Sequence, residues 1–264
     1  MDNAEAIEWI TGDAAEMAEL LREAKPDQAV PACPGWNASD LSRHLVVGFS
    51  AWYPYNISTP AESWSGDGLM ARFAQVGDEH LSNIDAFEAG VAEFLSYCAD
   101  GDLARDTWAF GGVEPAGWWI RRAGTELTVH LTDAADMLGR RASTSPDGHC
   151  EAIDEVTSQM FSRIAAVKQT MAALTGESSD PPVTPDRAAA LVADDTGRAW
   201  TLQRADDGRA TQAHGLHDGV AAVGHGSSAD VLAWLHGRPM TAALTIEGDA
   251  RLLDDWNLFQ LAQL

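Results

Sequence analysis

The spacing of the apolar residues before the segment 176–182 differs from the spacing after it. Before that segment, apolar residues recur at intervals of three and four, which is typical of amphipathic helices. After it, the apolar runs are short and strand-like. The segment itself reads Gly-Glu-Ser-Ser-Asp-Pro-Pro, the composition of a linker. We therefore predict a two-domain α+β chain, with a helical domain over residues 1–175 and a small α+β domain over residues 183–264.

The first domain carries the pattern of several helices separated by loops. The second helix begins at Asn37 or Ser39, either of which is a suitable N-cap, and ends near residue 52, before Pro54. The predicted helices span residues 4–22, about 39–52, 69–99, 118–138 and 152–174, with loops at 56–67 and 101–117. A break in the third helix is expected, if anywhere, near Gly77 or Gly90. The first four helices suggest a four-helix bundle, a fold that builds metal sites from inward-facing side chains.

The second domain has the pattern of a small mixed structure. Strand-like runs cover residues 187–193, 199–204 and 241–247. Short helices are predicted at 228–236, after a serine cap, and at 249–261. Strands and helices in this arrangement are typical of a small α+β domain.

Composition excludes several classes of partner. The 17 Lys and Arg residues against 40 Asp and Glu residues give a formal net charge of −23. Because this charge repels phosphate backbones and anionic bilayers, we expect neither nucleic acid nor a membrane as a partner. No apolar run approaches the ~18 residues of a membrane span, and the acidic N-terminus lacks the features of a signal peptide. The three cysteines have no CxxC spacing. A cytoplasmic location is therefore expected.

Three side chains offer the ligands of a metal site. Glu126 and His130 lie four residues apart in one predicted helix, so they share a face of that helix. His44 lies in another predicted helix. If the two helices pack together, the three residues supply two nitrogens and one oxygen, as in catalytic metal sites with one open position. An isolated Glu-x-x-x-His pair is more often a surface pair, so this interpretation depends on the context of His44.

Neighbouring residues leave alternatives open. Asp133, one turn beyond His130, could orient the His130 ring through its other nitrogen, or could be a solvated acid. Arg122 could bind a substrate carboxylate through its planar guanidinium group, or could pair with Glu126 or a surface acid. Cys33 fits a small buried hydrophobe better than a nucleophile. Trp36 fits a structural role behind a turn better than a substrate platform.

Residues 33–45, Cys-Pro-Gly-Trp-Asn-Ala-Ser-Asp-Leu-Ser-Arg-His-Leu, resemble the CPGW…D…HL segment of the mycothiol-dependent maleylpyruvate isomerase family. The Arg…Glu…His…Asp spacing at 122–133 is similar to that family's second metal segment. Residues 226–238 and the Glu-Gly-Asp at 247–249 resemble its small C-terminal domain. The resemblance covers nearly the whole chain in the right order. It implies a DinB-like four-helix bundle followed by a small α+β domain.

The resemblance also implies a site and an activity. His44, Glu126 and His130 would hold a divalent metal, with zinc the expected ion, and mycothiol would be the co-substrate. Arg238 would lie where the family's C-terminal domain offers a basic residue, and Arg122 is a second candidate for holding an anionic substrate group. The expected reaction is isomerisation or S-transfer on a small electrophilic molecule, such as maleylpyruvate or a natural-product intermediate.

The chemistry is consistent with such a site, although two alternatives stay open. A thiol bound to a metal cation loses its proton, and the thiolate is the competent nucleophile for a conjugated cis double bond. Addition, rotation about the resulting single bond and elimination would give the trans isomer. Alternatively, zinc-bound water could serve a thiol-independent hydrolase or lyase. The third hypothesis is a non-catalytic module that binds a small molecule.

Overall fold

The computed structural model describes residues 1–77, 82–164, 166–167, 170 and 184–257. The chain divides into two compact units, Met1–Thr144 and Ser145–Leu264. The predicted linker at 176–182 lies outside the described residues, so a domain boundary there stays a prediction. No helix in the described part of the chain is both long and apolar enough to cross a bilayer.

The first unit is a four-helix bundle with short additions. Its helices are α1 (Asn3–Glu23), α2 (Ala38–Val47), α3 (Tyr53–Ser58), α4 (Gly66–Val76), α5 (Ile84–Asp100) and α6 (Trp118–Met137). Both α1 and α2 pack against α5 and α6, which makes these four the bundle. Their facing sides bury apolar residues at helical spacing, including Ile10, Leu41, Leu45, Phe94 and Leu127. The predicted helical N-terminal domain is confirmed.

The second helix continues further than the sequence predicted. Instead of ending before Pro54, the chain passes through a π-helical turn at Gly48–Trp52 and stays helical to Ser58. The amide of Tyr53 donates to the carbonyl of Gly48, five residues back. Proline has no amide for the carbonyl of Ser50, four residues back, and that oxygen accepts from Arg72 Nε at 2.9 Å. An outside donor thus makes the proline compatible with a helix here.

The long helix predicted at 69–99 is two helices, α4 and α5. Gly77 follows α4 with a φ of +74°, a conformation that glycine adopts without strain, and the Asn83 side chain caps α5. Gly90, the other suggested break, lies inside α5. A Cβ on Gly90 would come within 2.7 Å of the Phe49 backbone, so this glycine lets α5 pack directly against the π-helical turn.

A β-hairpin occupies part of the segment that was predicted as a loop at 101–117. Strands β1 (Asp106–Ala109) and β2 (Gly112–Pro115) pair antiparallel. Phe110 and Gly111 form the two-residue turn with φ values of +41° and +77°. Hairpin turns of this kind need positive φ at both positions, which Asn-Gly normally supplies. Phenylalanine in the first position gave no such signal, and its ring is buried.

The second unit contains a five-stranded sheet with helices against it. Its elements are α7 (Pro146–Glu155), β3 (Ala189–Ala193), β4 (Arg198–Arg204), β5 (Ala210–His214), β6 (Ala222–Gly226), α8 (Ser228–Leu235), β7 (Thr245–Gly248) and α9 (Ala250–Asp255). The strand order is β5-β4-β3-β6-β7, parallel only between β3 and β6. Helix α8 packs against β3, β6 and α7. The predicted α+β C-terminal domain is confirmed.

Several details of this unit differ from the prediction. The sequence did not predict β5 and β6, whose segments are rich in Gly, His and Ala and lack a clear alternation of apolar residues. Helix α7 begins at Pro146, capped by Ser145, rather than at residue 152. This helix also packs within the second unit, whereas the sequence placed it in the helical domain that ends at residue 175.

Candidate metal centre

The bundle brings three potential metal ligands together. Glu126 and His130 lie one turn apart on α6, and α2, which packs against α6, carries His44. One carboxylate oxygen, Glu126 Oε1, lies 2.9 Å from His44 Nε2 and 3.3 Å from His130 Nε2. The three ligand atoms all lie within 4.8 Å of one another. Residues 82 positions apart in the sequence thus converge at one point.

The donor set fits a divalent metal such as zinc. Zinc binds imidazole nitrogen and carboxylate oxygen at about 2.0–2.2 Å, which places ligand atoms roughly 3.3 Å apart in a tetrahedral site. The distances in the bundle are close to that spacing. The side chains of His44 and Glu126 are 39% and 24% exposed, against 8% for His130. The centre is therefore enclosed on the His130 side and accessible on the His44 side, as a catalytic rather than a structural site requires.

A buried acid holds the far edge of the His130 ring. Asp133 Oδ2 lies 2.9 Å from His130 Nδ1, and Asp133 is fully buried. Because an ionised carboxylate can only accept, Nδ1 carries the hydrogen and Nε2 faces Glu126. The same Asp133 oxygen accepts from Cys33 Sγ at 3.4 Å. The sequence pattern suggested the orienting role of Asp133 as one alternative, but the part played by Cys33 was missed.

Arg122 completes the charged cluster on α6. Its guanidinium group donates to Glu126 Oε2, one turn along the helix. Burial alone would raise the pKa of Glu126, but the charge of Arg122 and the hydrogen bonds to His130 and His44 outweigh burial and hold this pKa well below its usual value. Glu126 is therefore ionised, as a metal ligand must be. Of the interactions considered for Arg122, the structure shows the ion pair with Glu126.

The pKa of His130 shifts in the opposite direction from that of Glu126. Burial lowers the pKa of an imidazole, but here the hydrogen bonds to Asp133, Cys33 and Glu126 outweigh burial and raise the pKa of His130 well above its usual value. Acidic oxygens on both edges of the ring thus stabilise positive charge between them. A bound cation would satisfy the same oxygens.

The loop before α2 covers the two imidazoles. Trp36 lies over His130 with 6.1 Å between ring centroids and 14° between planes, and its ring is 5.3 Å from that of His44. A tight turn, in which the Trp36 amide donates to the Cys33 carbonyl at 2.9 Å, fixes the indole. Gly35 makes the turn possible with a φ of +86°. Trp36 therefore contacts the centre itself, rather than only supporting a turn.

The aromatic side chains at the start of α6 are structural. Trp118 and Trp119 are both buried, and the Trp119 indole donates to the carbonyl of Trp108 in the hairpin at 3.1 Å. Half-buried Trp52, the last residue of the π-helical turn, contacts the rings of Trp108 and Trp119. The sequence left open whether Trp118 or Trp119 lines the pocket; their burial makes them core residues that anchor α6.

Arg238 belongs to the second unit. It follows α8, and its guanidinium group donates to the carbonyl of His236 at 3.2 Å. Its predicted role near a substrate stays a prediction.

Comparisons with known proteins agree with the resemblance in the sequence. Residues 8–135 match the family model of the mycothiol maleylpyruvate isomerase N-terminal domain. The fold is similar to two crystal structures of mycothiol-dependent maleylpyruvate isomerase, the first of which is of a mutant. The TM-scores are 0.58 and 0.57, and the sequence identities are 14% and 13%. Each comparison covers 95% of this chain and 95% of the other. No curated protein sequence matches the chain. Residues 8–135, which contain all three candidate ligands, are therefore similar to mycothiol maleylpyruvate isomerase N-terminal domains.

Proposed function

We propose that this protein is a metal-dependent enzyme that uses mycothiol to isomerise, or transfer sulfur to, a small electrophilic substrate such as maleylpyruvate. The observation that carries the proposal is the convergence of His44 Nε2 and His130 Nε2 on one oxygen of Glu126. The match of residues 8–135 to the family model of the mycothiol maleylpyruvate isomerase N-terminal domain supports the choice of thiol.

Each residue of the centre has a separate task in this proposal. His44, Glu126 and His130 would hold the divalent ion, for which zinc is the expected identity. A divalent ion held by these residues would supply positive charge that stabilises the thiolate, the nucleophilic form of a thiol. Arg122 keeps Glu126 ionised and fixes its second oxygen, while Asp133 keeps the hydrogen of His130 on Nδ1.

The open side of the centre suits addition and elimination of a thiol. A thiolate gives its electron pair to one carbon of a cis double bond, and the π electrons move onto the conjugated carbonyl. The former double bond is then single and can rotate. When the electrons return, the carbon–sulfur bond breaks and the trans isomer leaves with the thiol unchanged. If the substrate instead carries a leaving group, loss of that group leaves the sulfur on the product, which is S-transfer.

Metal content tests the first half of the proposal. Protein purified without chelator should contain about one zinc per chain, and His130→Ala should contain none. His225→Ala, which removes a histidine from strand β6 in the second unit, is the matched control and should keep the wild-type content. Stoichiometric metal in His130→Ala would refute the ligand assignment.

Thiol dependence tests the second half. Zinc-loaded protein should convert maleylpyruvate, or form a mycothiol adduct with an electrophilic analogue, only when mycothiol is present. Turnover of an ester or amide substrate without any thiol would support the hydrolase or lyase alternative. A protein that binds small molecules but shows no turnover with either system would support the binding module.

A further inference from the structure

We propose that Cys33 is a positioning residue of the metal centre: through its S–H group it fixes Asp133, which fixes the imidazole of His130. This inference rests on the proposed function, because it concerns one of the proposed ligands. Asp133 Oδ2 accepts from Cys33 Sγ at 3.4 Å and lies 2.9 Å from His130 Nδ1. One buried oxygen therefore joins the loop before α2 to a residue on α6, 100 positions away in the sequence.

The backbone on both sides of Cys33 holds the thiol in place. The Cys33 amide donates to the carbonyl of Val30 at 3.0 Å, and its own carbonyl accepts from the amide of Trp36 at 2.9 Å. The side chain is buried, as is Asp133. With both its amide and its carbonyl hydrogen-bonded, Cys33 has little freedom to move away from the carboxylate.

The same turn contacts His130 in two different ways. Trp36 lies against the face of the imidazole, and Cys33 acts on the ring both through Asp133 and through its own hydrogen bond to His130. Together they leave the Nε2 edge directed at Glu126 and His44. A ring restrained on its face and on one edge has one orientation, which is the orientation that metal binding through Nε2 requires.

A thiol suits this position because it is a small, weak donor. Its hydrogen bond orients Asp133 without drawing much charge from the carboxylate, which stays a strong acceptor for the Nδ1–H of His130. Loss of this donor would let the carboxylate rotate, and the imidazole could then exchange its Nδ1–H form for the Nε2–H form. The Nε2–H form cannot bind a metal through Nε2.

Three variants test the inference. Cys33→Ala removes the donor, Cys33→Ser restores one, and Cys98→Ala is the control that truncates another buried cysteine, on α5 of the same unit. Zinc affinity is measured by competition with a chelator of known affinity. We expect Cys33→Ala to bind zinc about tenfold more weakly than wild type, because loss of a group that orients a ligand typically costs 10–100-fold. Cys33→Ser should stay within about threefold of wild type, and Cys98→Ala should match it.

A second measurement needs neither metal nor activity. Long-range ¹H–¹⁵N NMR on the metal-free protein, at a pH where the ring is neutral, reports which nitrogen of His130 carries the hydrogen. Wild type and Cys33→Ser should show the Nδ1–H form, and Cys33→Ala a mixture of both forms. Wild-type zinc affinity and an unchanged ring in Cys33→Ala would overturn the inference, as would equal defects in the Ser and Ala variants. If wild type itself bound no metal, the proposed function would fail, while the NMR result would still decide the role of Cys33.

Discussion

The indole of Trp36 lies nearly parallel to the imidazole of His130, with 14° between the ring planes. Trp36 is half-buried and comes from the loop before α2, whereas His130 is buried on α6. This pair therefore joins the loop before α2 to α6 at the proposed metal centre.

Replacing Trp36 with alanine should weaken both the fold and the metal site. Loss of a half-buried indole should lower the free energy of unfolding by roughly 2 kcal/mol, less than the 3–5 kcal/mol of a fully buried one. Zinc affinity should fall severalfold because the face of His130 is no longer restrained. The control is Trp64→Ala, which removes a half-buried indole stacked on Trp108. That variant should lose stability and keep zinc affinity; equal zinc affinity in both variants would refute the role assigned to Trp36.

Replacing Arg122 with methionine should make zinc binding more sensitive to acid. The charge of Arg122 helps to hold the pKa of Glu126 below its usual value. Without it this pKa rises, so protons compete with the metal for the carboxylate at a higher pH than in wild type. Zinc affinity, measured from pH 5 to pH 8, should fall towards low pH in both proteins but begin to fall earlier in the variant. Parallel pH profiles would show that Arg122 does not act through Glu126.

His149 should make the second unit less stable in acid. Burial lowers the pKa of His149 from 6.5 to about 4, against the charges of Asp195 and Asp230. The His149 imidazole of the unfolded chain therefore binds a proton below about pH 6.5, whereas in the folded chain it binds one only near pH 4. The free energy of unfolding should decrease over this interval, by up to about 3 kcal/mol from this group.

The variant His149→Asn isolates that contribution. Its unfolding free energy should fall less than that of wild type between pH 6.5 and pH 4, in denaturant titrations at matched ionic strength. His225→Asn, a change of a less buried histidine in the same unit, should keep the wild-type slope. A wild-type slope in His149→Asn would contradict the prediction.

Asp13 connects α1 to α6 inside the bundle through hydrogen bonds. The free-energy cost of burying its carboxylate depends on pH. Its carboxylate accepts from Thr128 at 2.6 Å, Thr144 at 3.0 Å and Trp9 at 3.0 Å. Burial nevertheless raises its pKa above 3.8, more than these hydrogen bonds lower it. The folded state therefore holds the proton more tightly than the unfolded state, and stability falls as the pH rises through this range.

Two substitutions separate the hydrogen bonds of Asp13 from its charge. Asp13→Asn keeps acceptor geometry without charge and should be at least as stable as wild type at pH 7. Asp13→Ala leaves three donors, two of them on buried threonines, without this acceptor and should cost about 1–3 kcal/mol. Unfolding free energies at pH 4.5 and pH 7.5 check both, and the advantage of Asn over wild type should grow with pH. An Asn variant as unstable as the Ala variant would show that the charge itself stabilises the fold.

The sequence predicted the parts of the centre that depend on helix geometry. Arg122, Glu126 and His130 share a face because residues four apart always do so on a helix. His44 could be added only on the condition that its helix packs against that of Glu126, and the family resemblance rather than a local rule supported this packing. The contact between Cys33 and Asp133 spans 100 positions and uses residue types that are also common in ordinary cores, so no pattern indicated it.

The hairpin and the π-helical turn escaped prediction for a different reason. Both break a local rule and are stabilised from elsewhere: Phe110 adopts positive φ among buried rings, and Pro54 continues a helix because Arg72 satisfies Ser50. Tertiary contacts of this kind outweigh local propensity.

The π-helical turn at Gly48–Trp52 also bears on how this segment can change in length. A π-turn holds one residue more than the α-helical turn it replaces. Deleting a single residue within the turn would therefore close the segment into a regular helix and leave the direction of His44 relative to Tyr53 nearly unchanged. A one-residue deletion in the regular α-helix between His44 and Gly48 would instead rotate His44 by about 100° relative to Tyr53, away from Glu126. The π-helical turn is thus the place where this segment can lose a residue and still keep the candidate ligand His44 directed at Glu126.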